Sequence, residues 1–199
     1  KNINSNLKKF LNDKIYWCAS STHEGEELIS AKAYLILKKK IKNLILIVIP
    51  RNVQRVSEIT HMFSELSLKT HRHSINKEVP ADTNIYIVDT YGETKVFFKV
   101  CKVVFLGKSL TQNGGQNPLE PARYNCTIIH GPNVSNFHEI YDLLGKNKIA
   151  FKVNNQNQLI KKVNELLKKN IRTKNIGNKI NKIGEEILNK TLAEVKKFI

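Results

Sequence analysis

The chain has 199 residues, which suffice for one α/β domain with a buried core, and one domain is therefore predicted in preference to two very small ones. It contains no apolar run long enough to cross a bilayer and no signal region, so a soluble protein, or a soluble part of a longer one, is expected. The formal net charge of +16 is compatible with an anionic partner, either a nucleic acid or an anionic membrane surface, but the lysines are spread along the whole chain rather than gathered in one motif. A solvated basic surface is an equal alternative.

The cysteines and histidines do not form a recognisable metal or disulfide pattern. Cys18, Cys101 and Cys126 are odd in number and widely spaced, which indicates buried thiols in a reducing compartment. His71 and His73 would share one face of a strand, but no further ligand lies nearby in the sequence. No metal site is predicted.

Apolar runs alternate with helical patterns along the chain. A strand is predicted at residues 15–19 and a helix at 26–39. The run at 44–49 is apolar throughout and is ended by Pro50, which is typical of a central parallel strand buried on both faces. A helix is predicted at 53–66.

Five further strands are predicted, with helices between most of them, at residues 68–71, 84–88, 102–106, 127–130 and 149–153. This order predicts a Rossmann-like, doubly wound α/β fold with a parallel sheet. Residues 157–199 are predicted to be a helical C-terminal segment of the same domain, 1–199. Its apolar stripe is expected to pack against the domain, or a further domain, and consists of Ile176, Ile180, Ile183 and Ile187.

Distinctive residues follow four of the predicted strands. In open parallel sheets the carboxyl ends of the strands lie at one edge, where ligands bind. The residues concerned are 20–27 after the first strand, Pro50 and Arg51 after the second, 89–93 after the fourth and 107–110 after the fifth. A binding site is predicted at this edge.

The loop after the fifth strand has the composition of a phosphate and sugar site. Gly114 and Gly115 allow backbone N–H groups to approach an anion, and Pro118 suits the first turn of a helix, whose N-terminus attracts phosphate. Glu120 would then face ribose hydroxyls. An ordinary turn is the alternative interpretation of the glycine pair.

Several other residues at this edge have two interpretations. Arg51 suits a phosphate because its guanidinium presents a fixed fork of donors, although it is equally an ordinary surface arginine. Glu26 stands as a capping-box acid would relative to His23. Glu93 would interact favourably with the dipole of a helix that begins there. The absence of a P-loop, a G-x-G-x-x-G and a G-x-S-x-G motif argues against a kinase, an ATPase, a classical dinucleotide oxidoreductase and a hydrolase of the nucleophile-elbow type.

Taken together, these motifs resemble the C-terminal half of the 3-deoxy-D-manno-octulosonic acid (Kdo) transferases, the glycosyltransferases that act on lipid A precursors. The motifs occur in the family's order and span most of the chain. They are STHEGEE at 21–27, IPR at 49–51, VDTYGE at 88–93, GGQNPLEPA at 114–122 and GPNVSNF at 131–137.

The resemblance implies the donor-binding half of a GT-B glycosyltransferase, with the N-terminal acceptor domain absent from this chain. That half would bind CMP-Kdo, and the missing half would bind the lipid A precursor and carry the catalytic base, so donor binding without turnover is expected. The implied reaction is inverting, independent of metals and cofactors, and takes place at the cytoplasmic face of the inner membrane, whose anionic surface suits a basic protein.

The resemblance also implies site residues, with Arg51 on phosphate and Glu120 on ribose. The implied contacts to CMP are Pro50, Arg51, Tyr91, Gly92, Glu93, Asn117, Pro118, Leu119 and Glu120. Lys8 lies in an Asn-Leu-Lys segment like that at the junction of the family's two halves, which implies that it stabilises charge during transfer.

The chain departs from the family pattern at three positions. Gln116 and Asn133 stand where histidine is usual, and Lys108 where glycine is usual. Two alternatives to a Kdo transferase are another GT-B transferase or sugar epimerase that uses a uridine nucleotide, and a basic nucleic-acid-binding module. A nucleic-acid partner is not predicted.

Overall fold

The computed structural model describes residues 2–75, 77–168, 178, 180 and 182. Its strands are β1 (Ile15–Thr22), β2 (Leu44–Pro50), β3 (Thr70–Arg72), β4 (Ile85–Ile87), β5 (Val103–Leu106), β6 (Thr127–His130) and β7 (Ala150–Lys152). Its α-helices with defined bounds are α1 (Ser5–Leu11), α2 (Glu26–Lys38), α3 (Val56–Glu65), α4 (Thr94–Val100), α5 (Leu119–Arg123), α6 (His138–Lys146) and α7 (Gln156–Lys168). Two 3-10 turns, Val53–Arg55 and Ser135–Phe137, precede α3 and α6.

The strands form one parallel sheet in the order β3-β4-β2-β1-β5-β6-β7. β2 is buried at every position, as its continuously apolar sequence predicts for a strand covered on both faces. The register places Thr22 beside Pro50 and Leu106 beside His130. The carboxyl ends of the central strands therefore share one edge of the sheet, called the carboxyl edge below.

Helices cover both faces of the sheet. Trp17 and Ala19 of β1 point into the cluster beneath α2, α3 and α7, whereas Cys18, between them, points into the cluster beneath α1 and α4. Since side chains alternate along a strand, Leu106 lies on the same face as α1 and α4, and there it packs with residues of α5 and α6. This two-sided packing confirms the prediction of a doubly wound α/β fold.

The predicted strands are all present, with somewhat different ends, and two helical segments differ from expectation. The predicted helix at 53–66 starts as a 3-10 turn before α3. Helix α1 was not predicted as a helix, although its signals are present: Asn4 Oδ1 accepts a hydrogen bond from the Leu7 amide at 2.7 Å, and Leu7, Phe10 and Leu11 form a buried face.

The predicted C-terminal helical segment is described only in part. Helix α7 matches its first residues. Ile180 is helical, only 7% exposed and packed in the cluster that contains Leu144 and Ile149. The other residues of the predicted stripe, Ile176, Ile183 and Ile187, lie outside the described residues.

The cysteines and histidines have structural roles in the described part of the chain. Cys18, Cys101 and Cys126 are buried, as predicted, and the Cys126 thiol donates to the Cys101 carbonyl at 3.1 Å. His71 and His73 both contact Tyr86, by stacking and by a 2.9 Å hydrogen bond to its hydroxyl respectively. Among the described residues, no helix combines the length and apolar character needed to cross a membrane.

Candidate functional site at the carboxyl edge

One buried carboxylate organises the carboxyl edge. Glu26 Oε1 accepts hydrogen bonds from the amides of Ser109 and Leu110 at 2.9 and 3.0 Å. Glu26 Oε2 accepts from the amides of Lys108 and His23 at 2.8 and 3.0 Å. The side chain is fully buried, and these four N–H donors replace the hydration that a carboxylate loses on burial. Besides the expected capping contact to His23, Glu26 thus binds the loop after β5, and this larger role was not predicted.

The second acid of this pair is also used internally. Glu27 is 1% exposed, and its Oε1 lies 3.2 Å from a guanidinium nitrogen of Arg55. Burial raises the pKa of the Glu27 carboxyl, and the positive charge of Arg55 opposes that rise. Both oxygens of Glu26 are therefore occupied, whereas Glu27 Oε2 is buried without a hydrogen-bond partner in the described part of the chain.

Glycines allow the loops at this edge to pack against each other without side chains between them. A Cβ atom at Gly107 would lie 2.4 Å from the Ser21 carbonyl oxygen, and one at Gly131 would lie 1.9 Å from the Ser109 carbonyl oxygen. Ser109 Oγ also accepts a hydrogen bond from the Gly131 amide at 2.9 Å. The loops after β1, β5 and β6 therefore form one interlocked unit.

The glycine pair of the predicted phosphate loop belongs to the same unit. The Gly115 amide donates to the Lys108 carbonyl at 2.9 Å, and the Gly114 carbonyl accepts from the Asn136 amide at 3.1 Å. Both glycines have positive φ, which a residue without Cβ adopts at little cost. The turn is thus fixed by hydrogen bonds on both sides.

The segment from Asn117 to Glu120 follows this turn. Asn117 Oδ1 accepts from the Leu119 amide at 3.0 Å, and Pro118 is the N-cap of α5, one position before the predicted first turn. Leu119 packs on the apolar cluster beneath α5 and α6. Glu120 lies 3.7 Å from Lys95 Nζ. Because its side chain is 43% exposed, its carboxylate remains accessible.

The segment after β4 supplies an aromatic ring beside an open backbone. Tyr91 is 69% exposed, and the space around Gly92, whose φ is +80°, contains no atom within 4 Å of a Cβ position. Glu93 is the N-cap of α4, and Asp89 accepts from the Ser74 amide at 2.8 Å. The Asp89 bond fixes the strand end that carries Tyr91.

Arg51 is an exposed cation at the end of β2. Its amide donates to the Thr22 carbonyl at 3.0 Å, which holds the backbone beside β1, and Pro50 is buried as the last residue of the strand. The Arg51 side chain is exposed and has no ion-pair partner within the described ranges. The structure therefore brings Pro50, Arg51, residues 91–93 and residues 117–120 to the same edge.

Lys8 lies on helix α1, outside the loops that follow the strands. It is exposed on α1 and lines a groove of 650 Å³ between α1 and α4, together with Tyr16, Val96 and Val100. Tyr16 is near the start of β1, and Val100 ends α4 just before β5 starts. This end of the groove is at the amino edge of the sheet, whereas Val96, in the first turn of α4, is near the carboxyl edge. The role of Lys8 stays a prediction.

The two residues that stand where histidine is usual have structural contacts. Asn133 Nδ2 lies 3.4 Å from the Leu110 carbonyl oxygen. At Gln116 the contact is made by the backbone carbonyl, which accepts from the Tyr141 hydroxyl at 2.9 Å. No group of three or more metal-binding side chains occurs in the part of the chain that the structure describes.

A buried histidine ends β6 at the same edge. His130 is 5% exposed, its Nδ1 lies 2.7 Å from the Gly131 carbonyl oxygen, and its ring packs 4.2 Å from that of Tyr141. Burial lowers the pKa of His130 to about 4. Lys152 also lowers this pKa, whereas the Gly131 carbonyl and Asp142 oppose the change. The folded protein therefore keeps this ring neutral.

Comparisons with known proteins identify similar chains. No family model matches. The 3-deoxy-D-manno-octulosonic acid transferase of Haemophilus influenzae is 29% identical over 176 residues, which are 88% of this chain and 40% of that protein. The Rickettsia conorii enzyme of the same name is 32% identical over 83% of this chain and 36% of its own length. A bifunctional glycosyltransferase/methyltransferase of Fusobacterium nucleatum is 31% identical over 90% of this chain and 27% of its own length.

Solved structures agree with these sequence matches. The C-terminal CMP-Kdo binding domain of WaaA from Acinetobacter baumannii is 27% identical, with a TM-score of 0.81 over 89% of this chain and 93% of that domain. A UDP-N-acetylglucosamine 2-epimerase from Listeria monocytogenes, described as putative, is 12% identical with a TM-score of 0.54, which indicates a shared fold alone. The predicted fold, the C-terminal half of a GT-B glycosyltransferase, is confirmed. The chain spans less than half the length of the curated relatives named above.

The Glu26→Gln variant tests the buried carboxylate. An amide side chain keeps one acceptor oxygen, so two of the four backbone N–H groups lose their acceptor, at about 1–3 kcal/mol for each. We expect urea unfolding to give a free energy of unfolding lower by several kcal/mol. The exposed neighbour Glu24 is the matched control, and Glu24→Gln is expected to leave stability nearly unchanged. Equal stabilities of the two variants would contradict the account.

The pH dependence of stability tests His130. Its pKa is about 4 when folded and near the ordinary 6.5 when unfolded, so only the unfolded chain takes up a proton between these values. The stabilisation by His130 is complete above pH 6.5 and is lost as the pH falls towards 4, which amounts to about 2 kcal/mol between pH 7 and pH 5. His130→Gln is expected to remove this part of the pH dependence. The same change at the exposed His138 is the control, and equal profiles for both variants would refute the assignment.

Proposed function

We propose that this chain, a homologue of the C-terminal domain of the Kdo transferases, binds the sugar nucleotide CMP-Kdo at its carboxyl edge. The proposal rests mainly on the similarity of this chain, at 27% identity and a TM-score of 0.81, to a domain described as CMP-Kdo binding. The predicted contact residues on that edge support it further, and they surround a loop after β5 that the Glu26 hydrogen bonds fix. In this proposal residues 1–199 form one donor-binding domain.

Each predicted contact has a side chain or backbone suited to part of the donor. The exposed guanidinium of Arg51 binds the phosphate, because a fixed fork of donors matches phosphate oxygens. The accessible carboxylate of Glu120 accepts hydrogen bonds from ribose hydroxyls. Tyr91 offers an exposed aromatic face beside the open backbone of Gly92. The rest of the nucleotide packs against this face.

The proposed reaction of the whole enzyme is transfer of Kdo from CMP-Kdo to a lipid A precursor. Transfer is inverting and uses no metal, and the base that deprotonates the acceptor hydroxyl belongs to the other half of the enzyme. Arg51 stabilises the charge that forms on the CMP leaving group, and Lys8 is assigned the same role at the junction of the halves. Alone, this chain binds donor without turning it over.

The proposed location is the cytoplasmic face of the inner membrane, where a lipid acceptor is accessible. A net charge of +16 suits the anionic lipid surface there, since each lysine near such a surface contributes about 1 kcal/mol. The distribution of lysines over the whole chain supports a general attraction rather than one specific lipid site.

Two other functions are less well supported. A uridine-nucleotide transferase or epimerase would share the fold, but such neighbours are related at the level of fold alone. A basic nucleic-acid-binding module would use the net charge, yet it would not need the arrangement around Arg51 and Glu120.

Calorimetric titration with CMP, UMP and a short DNA duplex tests the proposed function. We expect saturable CMP binding that is tighter than UMP binding. Arg51→Ala is expected to weaken CMP binding about tenfold or more, because it removes charge-assisted hydrogen bonds to phosphate, and Glu120→Ala to weaken it less, through ribose.

Two exposed residues away from the carboxyl edge provide matched controls. Arg123 ends α5 and Glu65 ends α3, and their alanine variants are expected to bind CMP like the unmodified chain. Equal affinity for CMP and UMP in all variants would contradict a CMP-Kdo site. Tight, salt-dependent DNA binding without a CMP preference would instead favour the basic module.

A further inference from the structure

The backbone of Lys108 has a conformation that a lysine rarely adopts. Six described residues other than glycine have positive φ, and four of them lie in connections from a helix to the next strand: Ser67, Asn43, Asn125 and Lys148. The other two, Ser21 and Lys108, lie where β1 and β5 end, at the carboxyl edge. Unfavourable backbone conformations that persist at such an edge point to a functional constraint.

The fold requires this conformation but not this side chain. The Lys108 amide donates to Glu26 Oε2 at 2.8 Å, and its carbonyl accepts from the Gly115 amide at 2.9 Å. These are backbone contacts, and glycine would make both with less strain, because it has no Cβ. Folding alone therefore does not account for a lysine at this position.

The side chain of Lys108 extends along the glycine turn. Its Cε lies 3.5 Å from a Cβ position at Gly114, and Asn136 Nδ2 lies 3.0 Å from the same position. Lys108 is half-buried, and its ammonium makes no hydrogen bond or ion pair with any residue in the described part of the chain. A cation and an amide donor thus flank Gly114 without an internal anion to bind the cation.

No acid among the described residues forms an ion pair with this cation. Both oxygens of Glu26 are occupied by backbone amides, and Glu120 lies beside Lys95. Gln116 and Asn133, on the adjoining loops, carry no charge. Lys108 is therefore the positive side chain of the glycine turn, and its charge is available to a ligand.

We propose that Lys108 binds the anionic group of the sugar nucleotide, a phosphate or a sugar carboxylate. This assignment rests on the proposed function and adds to it a residue outside the predicted contacts. Lys108 and Arg51 would then hold the ligand's negative charge from the ends of β5 and β2, which lie on either side of β1 in the sheet.

Calorimetric titration of Lys108→Met, Lys108→Arg and Lys108→Gly with cytidine, CMP and CMP-Kdo tests the assignment. If Lys108 binds phosphate, Lys108→Met weakens CMP and CMP-Kdo about tenfold each and leaves cytidine unchanged. If it binds the sugar carboxylate, only CMP-Kdo is weakened. Lys108→Arg keeps the charge and is expected to retain most of the affinity.

Lys108→Gly separates binding from folding. Glycine relieves the backbone strain, so Tm is expected to rise by a few degrees while the affinity falls as it does in Lys108→Met. Affinities equal to those of the unmodified chain for all three ligands, with CMP still bound, would overturn the Lys108 assignment alone. Failure of the unmodified chain to bind any of them would overturn the proposed function and this assignment together.

Discussion

The buried carboxylate of Glu26 is the interaction on which the carboxyl edge depends. A charge in the protein interior is stable only when hydrogen bonds replace the water that it loses, and four backbone amides do this for Glu26. Three of these amides belong to residues 82 to 84 positions away in the sequence. The carboxylate therefore joins the start of α2 to the loop after β5, and the Gly131 contacts join the loop after β6 to the loop after β5.

This arrangement decides how an anionic ligand can be bound. Backbone amides clustered at the ends of parallel strands commonly bind phosphate, but here the inner amides are already occupied by an anion of the protein. A ligand at this edge must meet its donors further out, at the side chains of Arg51 and Lys108 and at the turn of Gly114 and Gly115. Glu26 thus acts as an internal anion that shapes the loops, and the outer groups remain available for the ligand.

The sequence predicted the fold well where local pattern decides the structure. The apolar run at 44–49, ended by Pro50, is typical of a strand buried on both faces, and β2 is buried at every position. The 3-10 turn before α3 and the short helix α1 were harder to predict, since α1 has seven residues and its stability comes from packing rather than intrinsic propensity.

The sequence predicted the position of the candidate site, at the carboxyl edge, but not the contacts within it. Parallel strand ends share an edge, so the loops carrying Arg51, Tyr91 and Glu120 could be placed together from the strand order alone. The partners of Glu26 could not, because contacts across more than eighty residues leave no local spacing signal. The constraint on Lys108 became visible only from its backbone conformation.

The most direct test of the account is a nitrogen-15 NMR titration of the chain with CMP, combined with hydrogen exchange of the same amides. If CMP binds at the carboxyl edge, the largest shifts fall on Arg51, on residues 91–93 and on the turn of Gly114 and Gly115. The amides bound to Glu26, those of Ser109 and Leu110 among them, should exchange slowly with and without CMP. Large shifts confined to the groove between α1 and α4, or rapid exchange of the amides assigned to Glu26, would contradict it.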